Sequence, residues 1–251
     1  MINFEDLKIL LVQIRRDADA IPPERAEFVH FSGLKEEKVC TLDVFKDPAF
    51  PVSIIDDYDA LMIGGLSDDL SNDIMLPDFF EPFLANLHHL MLHAIEKKIP
   101  SLLSCGGFML ASSMLGASVV IDPDQSEMGL CQITLTDAGK SDVLFQSFPP
   151  TFQAVSGHIK STNDLPRECV HLASSERCFV HGFKVADAPF YAFQFHPEIT
   201  CADLVTRVES YKDKYFATEQ DYQTFIKTRG STAIANSIIT RFVRLVAQGA
   251  I

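Results

Sequence analysis

The sequence predicts an α/β protein. Its mostly parallel sheet is flanked by helices, with a smaller antiparallel or mixed sheet and a helical C-terminal extension. Three observations carry this. Branched apolar runs alternate with helix-like segments through the first hundred residues, which is the pattern of a parallel sheet covered on both faces. Two of those runs end in paired glycines, Gly64-Gly65 and, after Cys105, Gly106-Gly107. Beyond residue 119 the runs shorten and turns crowd in, as antiparallel strands require.

Taken in order, LKILLVQI (7–14) reads as a buried strand. Pro22-Pro23 opens a helix, PPERAEFVHFSGL, because proline is tolerated in the first turn. VCTLDV (39–44) and YDALMI (58–63) are the next strands, the latter ending at Gly64-Gly65. Residues 78–98 form a long helix with Phe79, Phe83, Leu87, Leu90, Met91 and Ile95 on its apolar side. A fourth strand, 101–104, runs into Cys105, and a helix follows to Leu115-Gly116. Short strands are expected at 132–135, 152–155, 170–173, 179–185 and 190–195. After Glu198 the chain turns helical, and 233–246 places Ile234, Ile238, Phe242 and Leu245 on one face. With no repeat and no linker, residues 1–251 read as a single domain with a core at 7–199 and an extension at 200–251.

Composition excludes several classes. A net charge of −13 repels nucleic acid and anionic membrane. The uncharged stretch 99–121 has the length of a membrane span, but five serines, Pro100 and three glycines argue for strand, turn and helix instead. Six scattered cysteines without a C-x-x-C pair fit neither a disulfide scaffold nor a zinc site of standard spacing. Reduced thiols and the absence of a signal-peptide pattern point to the cytoplasm.

The chemistry centres on Cys105. A side chain on a sharp strand-to-helix turn stands clear of the sheet, and a helix N-terminus favours a thiolate. A buried, inert cysteine is the competing reading. The partner is FQFHPEIT (193–200): His196 can take and return a proton, and Glu198 can fix its tautomer. Alone, His-Pro-Glu reads more simply as an exposed turn.

Four stretches together resemble the class I (triad) glutamine amidotransferases, similar to the glutaminase domain of GMP synthetase. They are YDALMIGG (58–65) with Ser67, the Cys105 turn within 100–111, Glu127-Met128-Gly129 followed by LTDAGKSDVLF, and QFHPE (194–198). The resemblance implies a flavodoxin-like fold and hydrolysis of the glutamine γ-amide to glutamate and ammonia through a thioester. It implies Cys105 as nucleophile, His196 as base and acid, and Glu198 as orienting carboxylate. The Gly65 and Gly106 amides would form the oxyanion hole, and Gly64, Gly65, Gly107, Met109 and His158 would line the substrate site. It implies no cofactor and no metal. The substrate is glutamine or a γ-glutamyl compound. The chain carries no G-x-x-x-x-G-K-[ST] motif, so a separate synthetase would accept the ammonia.

The chain departs from the family pattern at Leu66, Leu103, Ser104, Met109 and Lys160. Met109 stands where the family glutamine holds the substrate, and a thioether cannot make that hydrogen bond. A γ-glutamyl peptide hydrolase, or a catalytically idle homologue acting as a binding protein, therefore remains an alternative. His89 and His93 have metal-ligand spacing on a helix, but a polar helix face is the simpler reading. Asp68, Asp69 and Asp73 read as a solvated loop, with a cation-binding rim as the alternative. The aromatic stretch 211–222 reads as helix packing, with a cover over the site or a homo-oligomer contact as the alternative.

Overall fold

A computed structural model describes residues 2–66, 81–166, 168–209, 212, 216, 218–227 and 230–251. Ser67, Asp68, Asp69, Asp73, Phe79, the first residues of the helix expected at 78–98, and part of 211–222 lie outside the described residues.

The elements, in chain order, are β1 (Ile9–Ile14), α1 (Ile21–Ser32), β2 (Val39–Asp43), β3 (Ala60–Leu66), α2 (Glu81–Glu96), β4 (Ser101–Ser104) and α3 (Gly106–Met114). Then come β5 (Val119–Ile121), β6 (Glu127–Leu135), α4 (Asp137–Ser141), β7 (Thr151–His158), β8 (Lys160–Thr162), β9 (Cys169–Ser174), β10 (Gly182–Val185) and β11 (Phe190–Phe193). Helices α5 (Cys201–Glu209), α6 (Glu219–Ile226) and α7 (Ala233–Gln248) follow.

Nine strands make one sheet in the order β2-β1-β3-β4-β11-β10-β9-β6-β7. The first five are parallel to one another and the remaining pairings are antiparallel. The parallel part follows the flavodoxin-like winding, with β11 in fifth place. All five short strands expected after residue 119 thus extend the main sheet, and among the described residues the small antiparallel sheet is the pair β5–β8. The apolar run predicts an end for β3 at Ile63; the strand runs on through Gly64 and Gly65 to Leu66.

Strand alternation builds two cores, one on each face. Ile9, Leu11, Leu102, Tyr191 and Phe193 point to the side covered by Phe28 of α1 and Ile238 and Phe242 of α7. Leu10, Val12, Leu103, Phe190 and Ala192 point to the side covered by Phe83, Leu87, Leu90 and Met91 of α2 and Phe108 of α3. Burial on both faces is why these strands read as unbroken apolar runs. Helix α1 starts with prolines in its first turn and stops at Gly33, whose φ of 71° is left-handed. Among the described residues no helix is long and apolar enough to cross a membrane.

The sheet order decides where the chemistry sits. β4 lies between β3 and β11, all three parallel. Their carboxyl ends therefore share one edge, which brings Gly65, Cys105 and the QFHPE segment together from three separate parts of the chain.

Candidate active site

Cys105 occupies the turn between β4 and α3 at φ 44°, ψ −94°, a strained backbone for a residue with a Cβ. Its amide is tied to Phe193 O of β11 at 2.8 Å, and its carbonyl accepts the first helical bond from Met109 N at 3.0 Å. Cys105 is 6% exposed, and its thiol points toward the Gly157 carbonyl, 3.9 Å away. The following glycine is dictated by contact. A Cβ on Gly106 would lie 2.5 Å from Leu66 N and Leu66 Cβ, so only glycine lets the helix start touch the end of β3.

His196 follows β11 and is anchored by its amide to Val155 O of β7 at 2.8 Å. Its Nδ1 lies 2.6 Å from Glu198 Oε1, and Glu198 is fully buried. A carboxylate only accepts, so Nδ1 carries the proton and Nε2 is free for the thiol. Burial opposes the imidazolium, but the charge of Glu198, the charge of Cys105 and hydrogen bonds with both outweigh it and raise the His196 pKa to about 10. Burial likewise opposes the Glu198 carboxylate, and His196 overcomes it and holds that group below the usual range.

Of the residues expected to line the site, Gly64, Gly65, Gly106 and Gly107 gather at this edge. Met109, one helical turn beyond Cys105, packs against the α2–α3 core. His158 is buried and turned elsewhere: Nδ1 donates to Lys160 O at 3.0 Å and Nε2 faces Glu127 Oε2 at 3.4 Å. His93 on α2 pairs with Asp56 at 2.7 Å, while His89 is exposed.

Two further residues, Glu24 and Arg15, stand in the site. Glu24, wholly buried on α1, accepts the Gly65 N–H at 3.1 Å and Arg15 Nε at 2.5 Å. Gln13 adds a bond to the same carboxylate at 3.3 Å. Arg15 reaches across Gly65: a Cβ there would collide with Arg15 Nη2 and lie 3.2 Å from His196 Cε1. Burial opposes the Arg15 charge, but Glu24 and, further down, Glu198 and Cys105 raise its pKa. Arg15 was detectable as a cation at the carboxyl end of a parallel strand, where ligands bind. Glu24 gave no signal, because an acid in a first helical turn is ordinary.

Three comparisons bear on this arrangement. A family model described as glutamine amidotransferase class-I matches residues 51–208, a span that holds Gly65, Cys105, His196 and Glu198. One subunit of the glutamine-hydrolysing GMP synthase from Methanopyrus kandleri is 26% identical over 109 residues, 43% of this chain and 57% of that relative. The corresponding GMP synthase subunit from Sulfurisphaera tokodaii is 25% identical over 152 residues, 61% of this chain and 73% of that relative. A glutamine amidotransferase structure from Thermotoga maritima shares the fold with a TM-score of 0.72 at 21% identity, covering 95% of this chain and 98% of that one. The family match takes in most of the chain, and GMP synthase subunits count among its relatives: the chain belongs to the class I glutamine amidotransferases.

Proposed function

We propose that the chain hydrolyses the γ-amide of glutamine to glutamate and ammonia through Cys105, His196 and Glu198. The observation that carries this is the 2.6 Å bond between His196 Nδ1 and Glu198 Oε1 beside a thiol held on a strained turn. An imidazolium next to sulfur is the setting that favours a thiolate. The thiolate attacks the γ-carbonyl carbon, and the C–O π electrons move to oxygen. The Gly106 amide faces that oxyanion, and the Gly65 amide joins it once Glu24 gives way. His196 passes its Nε2 proton to the departing nitrogen, and ammonia leaves as the thioester forms. Water then attacks the thioester, gives its proton to His196, and releases glutamate and the thiolate.

On the same reading, residues 1–251 form one domain, and Gly64, Gly65, Gly107 and Met109 contact the substrate. The ammonia passes to a separate synthetase. The relatives named as subunits of GMP synthase support a partner of that kind.

Two observations favour other outcomes of the site. Met109 offers no hydrogen bond to the amino-acid end of glutamine, which favours a γ-glutamyl peptide with a different leaving amine. Glu24 on the Gly65 amide favours an idle homologue that binds without turnover. One experiment separates all three: glutamate release from glutamine and from a γ-glutamyl dipeptide, with Cys105→Ala as control. Release from glutamine, lost in Cys105→Ala, supports the glutaminase. Release from the dipeptide alone supports the peptidase. No release from either, with slow alkylation of Cys105 below pH 7, supports the idle protein. Activity that persists in Cys105→Ala overturns the triad.

A further inference from the structure

Away from the thiol of Cys105, a second cluster of titratable groups is sealed inside the sheet. Glu127 comes from β6, His158 from the end of β7, and Cys178 and His181 from the segment entering β10. All four are buried, Cys178 and His181 completely. One donor atom each of His158, Cys178 and His181 lies within 4.8 Å of the other two.

The hydrogen bonds fix what these rings offer. His158 Nδ1 is 3.0 Å from Lys160 O. A carbonyl accepts, so Nδ1 donates, and Nε2 lies 3.4 Å from Glu127 Oε2. His181 Nε2 donates to Glu127 Oε2 at 2.6 Å, which leaves Nδ1 bare. That Nδ1 is buried with no hydrogen-bond partner. One nitrogen of each ring thus donates to an oxygen acceptor, and both rings converge with the Cys178 thiol within 4.8 Å. Unpartnered buried acceptors are costly and uncommon. Histidines whose second nitrogen is tied to a carboxylate or a backbone carbonyl are the usual form of metal ligands.

We propose that Cys178, His158 and His181 bind a thiophilic divalent cation, zinc by preference, with Glu127 as the carboxylate that orients His181. The donor set of one sulfur and two imidazole nitrogens suits zinc, and Cys178-x-x-His181 is a spacing that zinc sites use. Binding replaces the Cys178 proton, which is released to solvent. The resulting thiolate and the Glu127 carboxylate together balance the two positive charges, so the buried site is neutral. The ion ties β6, β7 and the approach to β10 into one unit. It thereby steadies Gly157, whose carbonyl faces Cys105 Sγ.

The test uses tag-free, full-length protein stripped with a chelator and titrated with Co²⁺. The expected result is saturation near one equivalent, with visible d–d bands and a near-ultraviolet sulfur-to-cobalt charge-transfer band, both displaced by Zn²⁺. Cys178→Ser should lose the charge-transfer band, and His181→Gln should weaken binding at least tenfold. Cys105→Ser and Cys131→Ser should leave the band unchanged. Because core variants can misfold, circular dichroism accompanies each, and the wild type is also heated with and without Zn²⁺, expecting a higher Tm with the ion. No cobalt band in the wild type overturns the proposal. So does a band that survives in folded Cys178→Ser, or one that vanishes in Cys105→Ser.

Discussion

The carboxylate of Glu24 accepts the Gly65 N–H at 3.1 Å, so an anion already sits on an amide of the expected oxyanion hole. The pairing joins the first turn of α1 to the end of β3, and Arg15 closes it from the end of β1 at 2.5 Å. An oxyanion forming at Cys105 competes with this carboxylate for the same proton donor. The Glu24–Arg15 pair both supports the fold and restrains the proposed chemistry.

Glu24→Ala should separate those effects. Breaking a buried ion pair leaves Arg15 uncompensated and should lower the unfolding free energy by about 3 kcal/mol. Urea denaturation reads that loss. The same variant should raise kcat/KM for glutamate release, because one oxyanion donor is worth on the order of 100-fold in rate. A variant that loses stability without gaining rate would show that Glu24 does not restrain the site.

Cys105 at φ 44° predicts a difference between two inactive variants. Cys105→Gly should be more stable than Cys105→Ala by about 1 kcal/mol, since only glycine adopts this backbone without strain. Equal denaturation midpoints would mean the turn stores no strain.

His196 predicts a pH dependence of stability. Its folded-state pKa is raised from 6.5 to about 10, despite burial, by Glu198 and Cys105. The folded chain therefore holds this proton more tightly than the unfolded chain. The stabilisation is fully present below pH 6.5 and is lost as pH rises toward 10, at up to about 1.4 kcal/mol per pH unit. Unfolding titrations from about pH 6 to about pH 10 should show that fall in the wild type and a flatter line in His196→Asn. Parallel lines would mean that the imidazolium is not held.

Met109→Gln should restore a hydrogen bond to the amino-acid end of glutamine, lowering KM for glutamine with a gain of about 1–2 kcal/mol in kcat/KM. Glutamate release from glutamine and from a γ-glutamyl dipeptide, run side by side, reads the change. An unchanged ratio between the two would remove Met109 from the specificity argument.

The alternation of apolar runs and helices gave away the parallel half of the sheet, because burial on both faces leaves its mark in every residue of a strand. Helix ends were legible for the same local reason: Pro22-Pro23 and Gly33 each act on their own backbone. The antiparallel strands were harder. β6 runs from Glu127, but only its last residues carry a strand signal in the sequence, since the buried positions of its first part are Glu127 and Gly129 rather than apolar side chains. β5 and β8 were missed because three residues are too few for a period to show.

What the sequence determined by itself is the run of buried strands in the first half of the chain, the turn at Cys105 and the pairing of His196 with Glu198, which are only two residues apart. Each depends on neighbours in the chain. What only the tertiary structure decided is what faces those groups. Glu24 and Gly65 are 41 residues apart, and Glu127 and His181 are 54. No local pattern records such pairs, because strand order and helix placement bring them together. Gly65 as an engaged amide and His158 as part of a buried cluster follow from packing, which fixes where each polar group finds its partner.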